Sequence, residues 1–182
     1  MAWIILAIIV ILAILLINVY NNLVKSRNKV HNAFANVDTQ LQRRFDLIPN
    51  LVETVKGYAS HESSVLENVT AARSGYMNAK TAEEKMEADN MLTGTLKSLF
   101  AVAESYPELK ANQNFSKLQE DLKETENKIA FSRQFYNDAV TMYNDKLLVF
   151  PTNLIGGMFG FKAETLYKID NDDAKQAPKV QF

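Results

Sequence analysis

Residues Met1 to Ile17 form an unbroken apolar run, and the first charged side chain is Lys25. Taken as one helix, residues 1–24 span ~36 Å, against ~30 Å for the hydrocarbon core of a bilayer. Trp3 and Tyr20 bracket the run, where amphipathic rings favour the two headgroup regions. A cleaved signal peptide needs a basic start, a short apolar stretch and a small-residue cleavage site. No basic side chain precedes this run, and Ile14-Leu15-Leu16-Ile17-Asn18 offers no such site. The segment therefore reads as a retained transmembrane anchor over residues 1–22. Lys25, Arg27 and Lys29 follow with no acid before Asp38, so the positive-inside bias puts Met1 outside and the rest of the chain in the cytoplasm.

Beyond the anchor, apolar side chains recur at helical spacing. They run through Leu23, Val30, Phe34, Val37, Leu41 and Ile48, and through Leu51, Val55, Tyr58, Val65, Val69, Ala72 and Tyr76. Leu92, Leu96, Leu99 and Ala103 form a third run, and Leu118, Leu122, Ile129, Tyr136, Ala139 and Tyr143 a fourth. No period-two alternation is sustained, so the pattern is all-α. Punctuation sets the expected boundaries. Pro49 closes one helix and opens the next, because proline is tolerated in a first turn but not mid-helix. Thr81 and Glu84 fit a capping box, and Asn112 is a fitting N-cap. Tyr106-Pro107 and Pro151 end the third and fourth helices. These signals predict helices at 2–46, 49–78, 82–104 and 113–149, an N-terminal transmembrane helix continuing into an antiparallel four-helix bundle over 23–149.

Antiparallel neighbours bring the end of the fourth helix back toward the bilayer. Residues 150–182 then form an apolar, glycine-rich segment and a tail. The stretch 150–161 holds three of the six glycines among large apolar side chains. It is either a cap over the bundle end or a surface for membrane or subunit contact, since such a stretch is costly to leave in water. Asp170 to Asp173 reads as a solvated acidic stretch, and Ala177 to Phe182 as a tail that either docks on a partner or stays free.

Composition narrows the chemistry. The 182 residues carry 20 Lys and Arg, 21 Asp and Glu, and no cysteine, for a net charge of −1. The lack of cysteine excludes disulfides, cysteine zinc sites, iron–sulfur clusters and thiol catalysis. A near-neutral chain with dispersed basic residues has no field for nucleic acid. His61-Glu62 begins like a zinc-protease motif, but the second histidine one turn on is replaced by Val65. A site built on His61, His31 and nearby acids is the metal alternative, and a surface histidine is the simpler reading. Gly156, Gly157 and Gly160 follow no strand and precede no Gly-Lys-Ser/Thr, so they are not a phosphate loop. Arg27, Arg44, Glu62 and Arg133 fall on apolar stripes, where each either pairs inside the bundle or marks one of its wet ends, structural pairing being the simpler reading than ligand binding. Glu120, Lys123, Glu124 and Lys128 read as a solvated face. No catalytic, cofactor-binding or metal-ligating residue emerges.

The punctuating residues also resemble a family. Leu41-Gln42-Arg43-Arg44-Phe45-Asp46-Leu47-Ile48-Pro49-Asn50-Leu51-Val52-Glu53 is the most specific block, followed by Val55-Lys56-Gly57-Tyr58-Ala59 and His61-Glu62. Tyr106-Pro107-Glu108-Leu109-Lys110-Ala111, Thr125-Glu126-Asn127, Tyr136-Asn137, Phe150-Pro151, Gly160-Phe161 and Ala177-Pro178-Lys179-Val180-Gln181-Phe182 complete it. Together they resemble the LemA family of bacterial membrane-anchored proteins, over nearly everything from Tyr20 onward. Ser132 stands where that pattern has alanine. The resemblance implies one N-terminal transmembrane helix, a short outside N-terminus and a helical-bundle domain; with the basic flank, the expected location is the bacterial inner membrane with the bundle in the cytoplasm. It carries no reaction and no cofactor with it.

The expected function is therefore a non-enzymatic, membrane-anchored scaffold or membrane-organising protein, acting as a homo-oligomer in contact with lipid. The alternative is a signalling or adaptor module that presents a helical groove to another membrane protein. An enzyme with a histidine metal site is the third class.

Overall fold

A computed structural model describes residues 1–59 and 61–168 of the chain. Among these residues there are six helices and no strand: α1 (Ala2–Lys56), α2 (Ser63–Asn78), α3 (Ala82–Ala103), α4 (Pro107–Lys110), α5 (Gln113–Leu148) and α6 (Thr152–Met158). The all-helical expectation holds. The acidic stretch at 170–173 and the closing residues 177–182 lie outside the described residues.

The first helix corrects the sequence reading: it does not stop at residue 46 but continues through Pro49 to Lys56. Proline has no N–H to offer the carbonyl four residues back, which belongs to Phe45. Arg73 Nε donates to that carbonyl at 3.3 Å. Leu41, Arg44, Ile48, Leu51 and Val55 are all buried, on one unbroken three-and-four-residue rhythm across the proline. Burying three such aliphatic side chains is worth ~1.5–3 kcal/mol each, which outweighs the ~3 kcal/mol cost of an interior proline. The break falls instead at Gly57, where α1 unwinds through bonds from Tyr58 N and Ala59 N to Val55 O. The second helix consequently starts at Ser63, not at 49.

Other boundaries follow their signals. Thr81 caps α3 in a full capping box with Glu84. Asn112 Oδ1 accepts from Phe115 N at 3.1 Å and caps α5. Pro107 occupies the first turn of the short α4, an element the apolar periodicity did not separate.

The chain divides into two compact units. The first comprises Met1–Leu41 and Thr125–Leu166. In it Leu23, Val30 and Val37 of α1 are buried, as are Ile129, Tyr136 and Tyr143 of α5, both sets at the seven-residue spacing of paired helices. The second comprises Gln42–Glu124 together with Tyr167 and Lys168 of the described residues. There α2 packs on α3, Phe45 stacks on Tyr76 at 4.0 Å between centroids, and Ile48, Val69, Leu92, Leu99 and Leu109 are buried.

Candidate functional site

In the first unit, α1 is the one described helix long and apolar enough to cross a membrane. The side chains from Ile4 to Leu15 are exposed. At the end of this apolar stretch a collar assembles. Tyr20 meets Phe159 edge-on at 4.9 Å and Phe161 at 5.7 Å. The Arg27 guanidinium lies 5.1 Å from the centroid of the Phe161 ring. Lys146 Nζ donates to Asn22 Oδ1 at 2.7 Å and to Ser26 Oγ at 2.5 Å. Gly156 lets α6 approach closely, because a Cβ there would meet Leu147 at 3.0 Å and Leu23 at 3.7 Å.

The chain leaves α6 through a turn that only glycine adopts easily. Gly160 has φ of +71°; Phe161 N bonds Gly156 O at 2.9 Å, and Gly160 N bonds Gly157 O at 3.3 Å. These are the paired bonds of a Schellman cap. Residues 161–166 then run without regular secondary structure, so their backbone groups need other partners. Side chains of α5 supply them. Tyr143 OH donates to Lys162 O at 2.9 Å and Tyr136 OH to Thr165 O at 2.8 Å. Asn144 bonds Glu164 twice, Nδ2 to the carbonyl and Oδ1 from the amide, each at 2.9 Å. Burial, and then the Glu164 carboxylate, push the Tyr143 phenol upward, partly opposed by Arg27.

Two apolar surfaces of this unit stay exposed. Leu148, Val149, Phe150, Leu154, Met158 and Phe159 surround α6, with Phe150 at 78% exposure. Phe131, Phe135 and Met142 lie along one face of α5, the two rings 4.7 Å apart.

The second unit holds a buried polar cluster. Arg44 Nη1 donates to Asp89 Oδ1 at 2.8 Å and to Thr93 Oγ1 at 3.1 Å. Tyr167 OH donates to Asp89 Oδ2 at 2.6 Å. Asp89 has no exposure, and Arg44 and Tyr167 almost none. A buried ion pair of this kind adds little net stability, because desolvating both charges offsets their attraction. Elsewhere Glu62, at the N-cap of α2, accepts from Tyr106 OH at 3.3 Å. Burial and that carboxylate both raise the Tyr106 phenol.

The sequence-selected residues thus sort by unit. Arg44 and Glu62 find partners within the second, Arg27 meets a ring in the first, and Arg133 is buried on α5. His31 is exposed, with Nε2 3.7 Å from Glu164 Oε1, and His61 is exposed. Glu120, Lys123, Glu124 and Lys128 are exposed as a solvated face would be. Among the described residues no three histidine, aspartate or glutamate side chains converge on a point that could hold a metal. Tyr167, Lys146 and Asn144 carry no signal of their roles in the sequence. Asp89 carried the one usable signal, a carboxylate three residues before Leu92 and three after Met86 on the apolar face of α3.

Comparison with known proteins bears on this chain as a whole. A profile of the LemA family matches residues 33–182, a range that begins beyond the apolar run. The chain is 24% identical over 165 residues to a protein named LemA of Metamycoplasma hominis, covering 85% of this chain and 74% of that one. It is 26% identical over 185 residues to magnetosome protein MamQ 2 of Paramagnetospirillum magneticum, covering 87% and 67%. Magnetosome protein MamQ of Magnetospirillum gryphiswaldense is 24% identical over 170 residues, covering 79% and 62%.

Proposed function

The chain belongs to the LemA family, and from that premise we propose that it is a non-enzymatic scaffold, anchored in the bacterial inner membrane, that organises membrane as a homo-oligomer. The observation that carries the proposal is the pairing, in one unit, of an uncovered span-length apolar helix with an uncovered apolar face on α5. Phe131, Phe135 and Met142 recur on one side of a helix whose other side is already buried. Exposed apolar patches of this kind mark interaction surfaces, and a second copy offers the same face. The basic flank of Lys25, Arg27 and Lys29 supports a short outside N-terminus and a cytoplasmic remainder. The proposal keeps the antiparallel four-helix arrangement for residues 23–149; spin-label distances that demand parallel neighbours contradict it.

Native mass measurement of the full chain in mild detergent tests the assembly. Several copies per particle are expected, with dissociation toward monomer on replacing Phe131 and Phe135 by lysine. A strict monomer contradicts it. Metal analysis of protein purified without chelators is expected to find no bound metal; a stoichiometric ion restores the enzyme class.

A second reading has an observation of its own. Val52, Leu66, Thr70 and Ser74 line an open groove of about 500 Å3 between the end of α1 and α2, a place for an adaptor to receive another membrane protein. Crosslinking followed by mass spectrometry separates the two, because a scaffold retrieves mainly itself.

A further inference from the structure

We propose that α6 and its flanks form a second membrane contact, lying in the boundary between headgroups and acyl chains beside the α1 span. This rests on reading α1 as membrane-spanning, because that span fixes the depth. With ~20 helical residues filling the hydrocarbon core, Tyr20 and Leu23 stand at its edge. Phe159 touches Tyr20 at 4.9 Å, and Gly156 sits against Leu23. The segment is therefore held at boundary depth by direct contact within the same unit.

Its chemistry suits that depth. Residues 147–161 contain no charged side chain, and Lys146 and Lys162 bracket them. Inside the segment, Ile155 and Gly156 are buried against the helices. The outward side carries Leu154 and Met158, one helical turn apart, with Leu148, Phe150 and Phe159 around them. A helix facing water carries polar residues there; this one inverts the pattern, as helices lying in a membrane surface do. Lys25, Arg27, Lys29, Lys146 and Lys162 of this unit outnumber Asp145 and Glu164 nearby in sequence, which favours an anionic lipid surface. The exposed face is continuous with the apolar surface of α1 through Tyr20 and Phe159, so the occupant is lipid.

The test uses the full chain, which contains no cysteine, with single cysteines at Phe150, Leu154 or Met158, each carrying an environment-sensitive fluorophore. A fourth label at Ile9 reports the span itself. The proteins are reconstituted into vesicles of phosphatidylcholine and phosphatidylglycerol, with nitroxide near the headgroup end of the acyl chains for the α6 sites and near the chain termini for Ile9. Blue-shifted emission and loss of intensity to the lipid nitroxide are expected at all three α6 sites and at Ile9, with aqueous iodide excluded from the α6 sites. Three sites guard against one variant folding poorly, and circular dichroism checks each. Quenching at Ile9, with the α6 labels open to iodide, overturns the contact and leaves the span standing. Labels shielded from both quenchers until dilution into excess lipid identify a second copy as the cover, and also overturn it. An unquenched Ile9 label removes the span and the contact together.

Discussion

Arg44 shows how far a single residue can be read. Its place on the apolar rhythm of the first helix leaves two readings, a partner inside the bundle or a wet end, and Asp89 at 2.8 Å from a buried Arg44 decides for the partner. The partner itself was not legible, because a carboxylate at helical spacing reads equally as a solvated face until tertiary packing chooses. Breaking a buried pair leaves a lone charge without water, at a cost of ~3–5 kcal/mol. Asp89→Ala is expected to lose stability on that scale in denaturant unfolding. Tyr167→Phe removes only a donor to the carboxylate, worth ~1.5–3 kcal/mol, and is expected to fall between Asp89→Ala and the parent. Equal stability of Asp89→Ala and the parent would show that the cluster contributes nothing.

At the scale of elements, proline and glycine exchanged roles. Pro49 reads locally as a terminator, although the rhythm Leu41, Arg44, Ile48, Leu51, Val55 runs through it unbroken. The signal was present, but the compensation was not. No local pattern announces that Arg73 will serve the Phe45 carbonyl. Gly57 and Gly160 were the true punctuation, one by weak helix propensity and one by its positive φ. A double-mutant cycle separates these terms. Arg73→Ala strips the carbonyl of its donor and is expected to cost ~1–3 kcal/mol. In a Pro49→Ala background, with the backbone N–H restored, the same change is expected to cost much less. Strict additivity contradicts the compensation.

The start of α3 adds a pH dependence. Backbone N–H groups, first of Lys80 and then of Thr81, hold the Glu84 carboxyl below its ordinary range. A lowered folded value means that the cap's contribution is present above the ordinary glutamate value and is lost as pH falls through the lowered one. Exchange protection of the first turn of α3 is expected to weaken over that acid window, and Glu84→Gln to flatten the response. Unchanged acid sensitivity in the variant contradicts the cap.

The whole molecule was most legible where physics is coarsest. An all-helical chain and a span-length apolar start follow from hydropathy and period alone. The collar at Tyr20, the strap at 161–166 and the apolar face of α5 did not, because each depends on which surface a neighbour covers. Scaffold and adaptor readings alike depend on residues 1–22 residing in lipid. Aspartate at the centre of a span costs on the order of 2.5–3.5 kcal/mol on insertion scales. Flotation of carbonate-washed membranes, comparing the parent chain with Ile9→Asp, tests that residence most directly. The parent is expected to float entirely with lipid and the variant to be partly released into the aqueous fraction. A parent chain recovered from the wash in soluble form, or a variant retained as fully as the parent, contradicts the anchor.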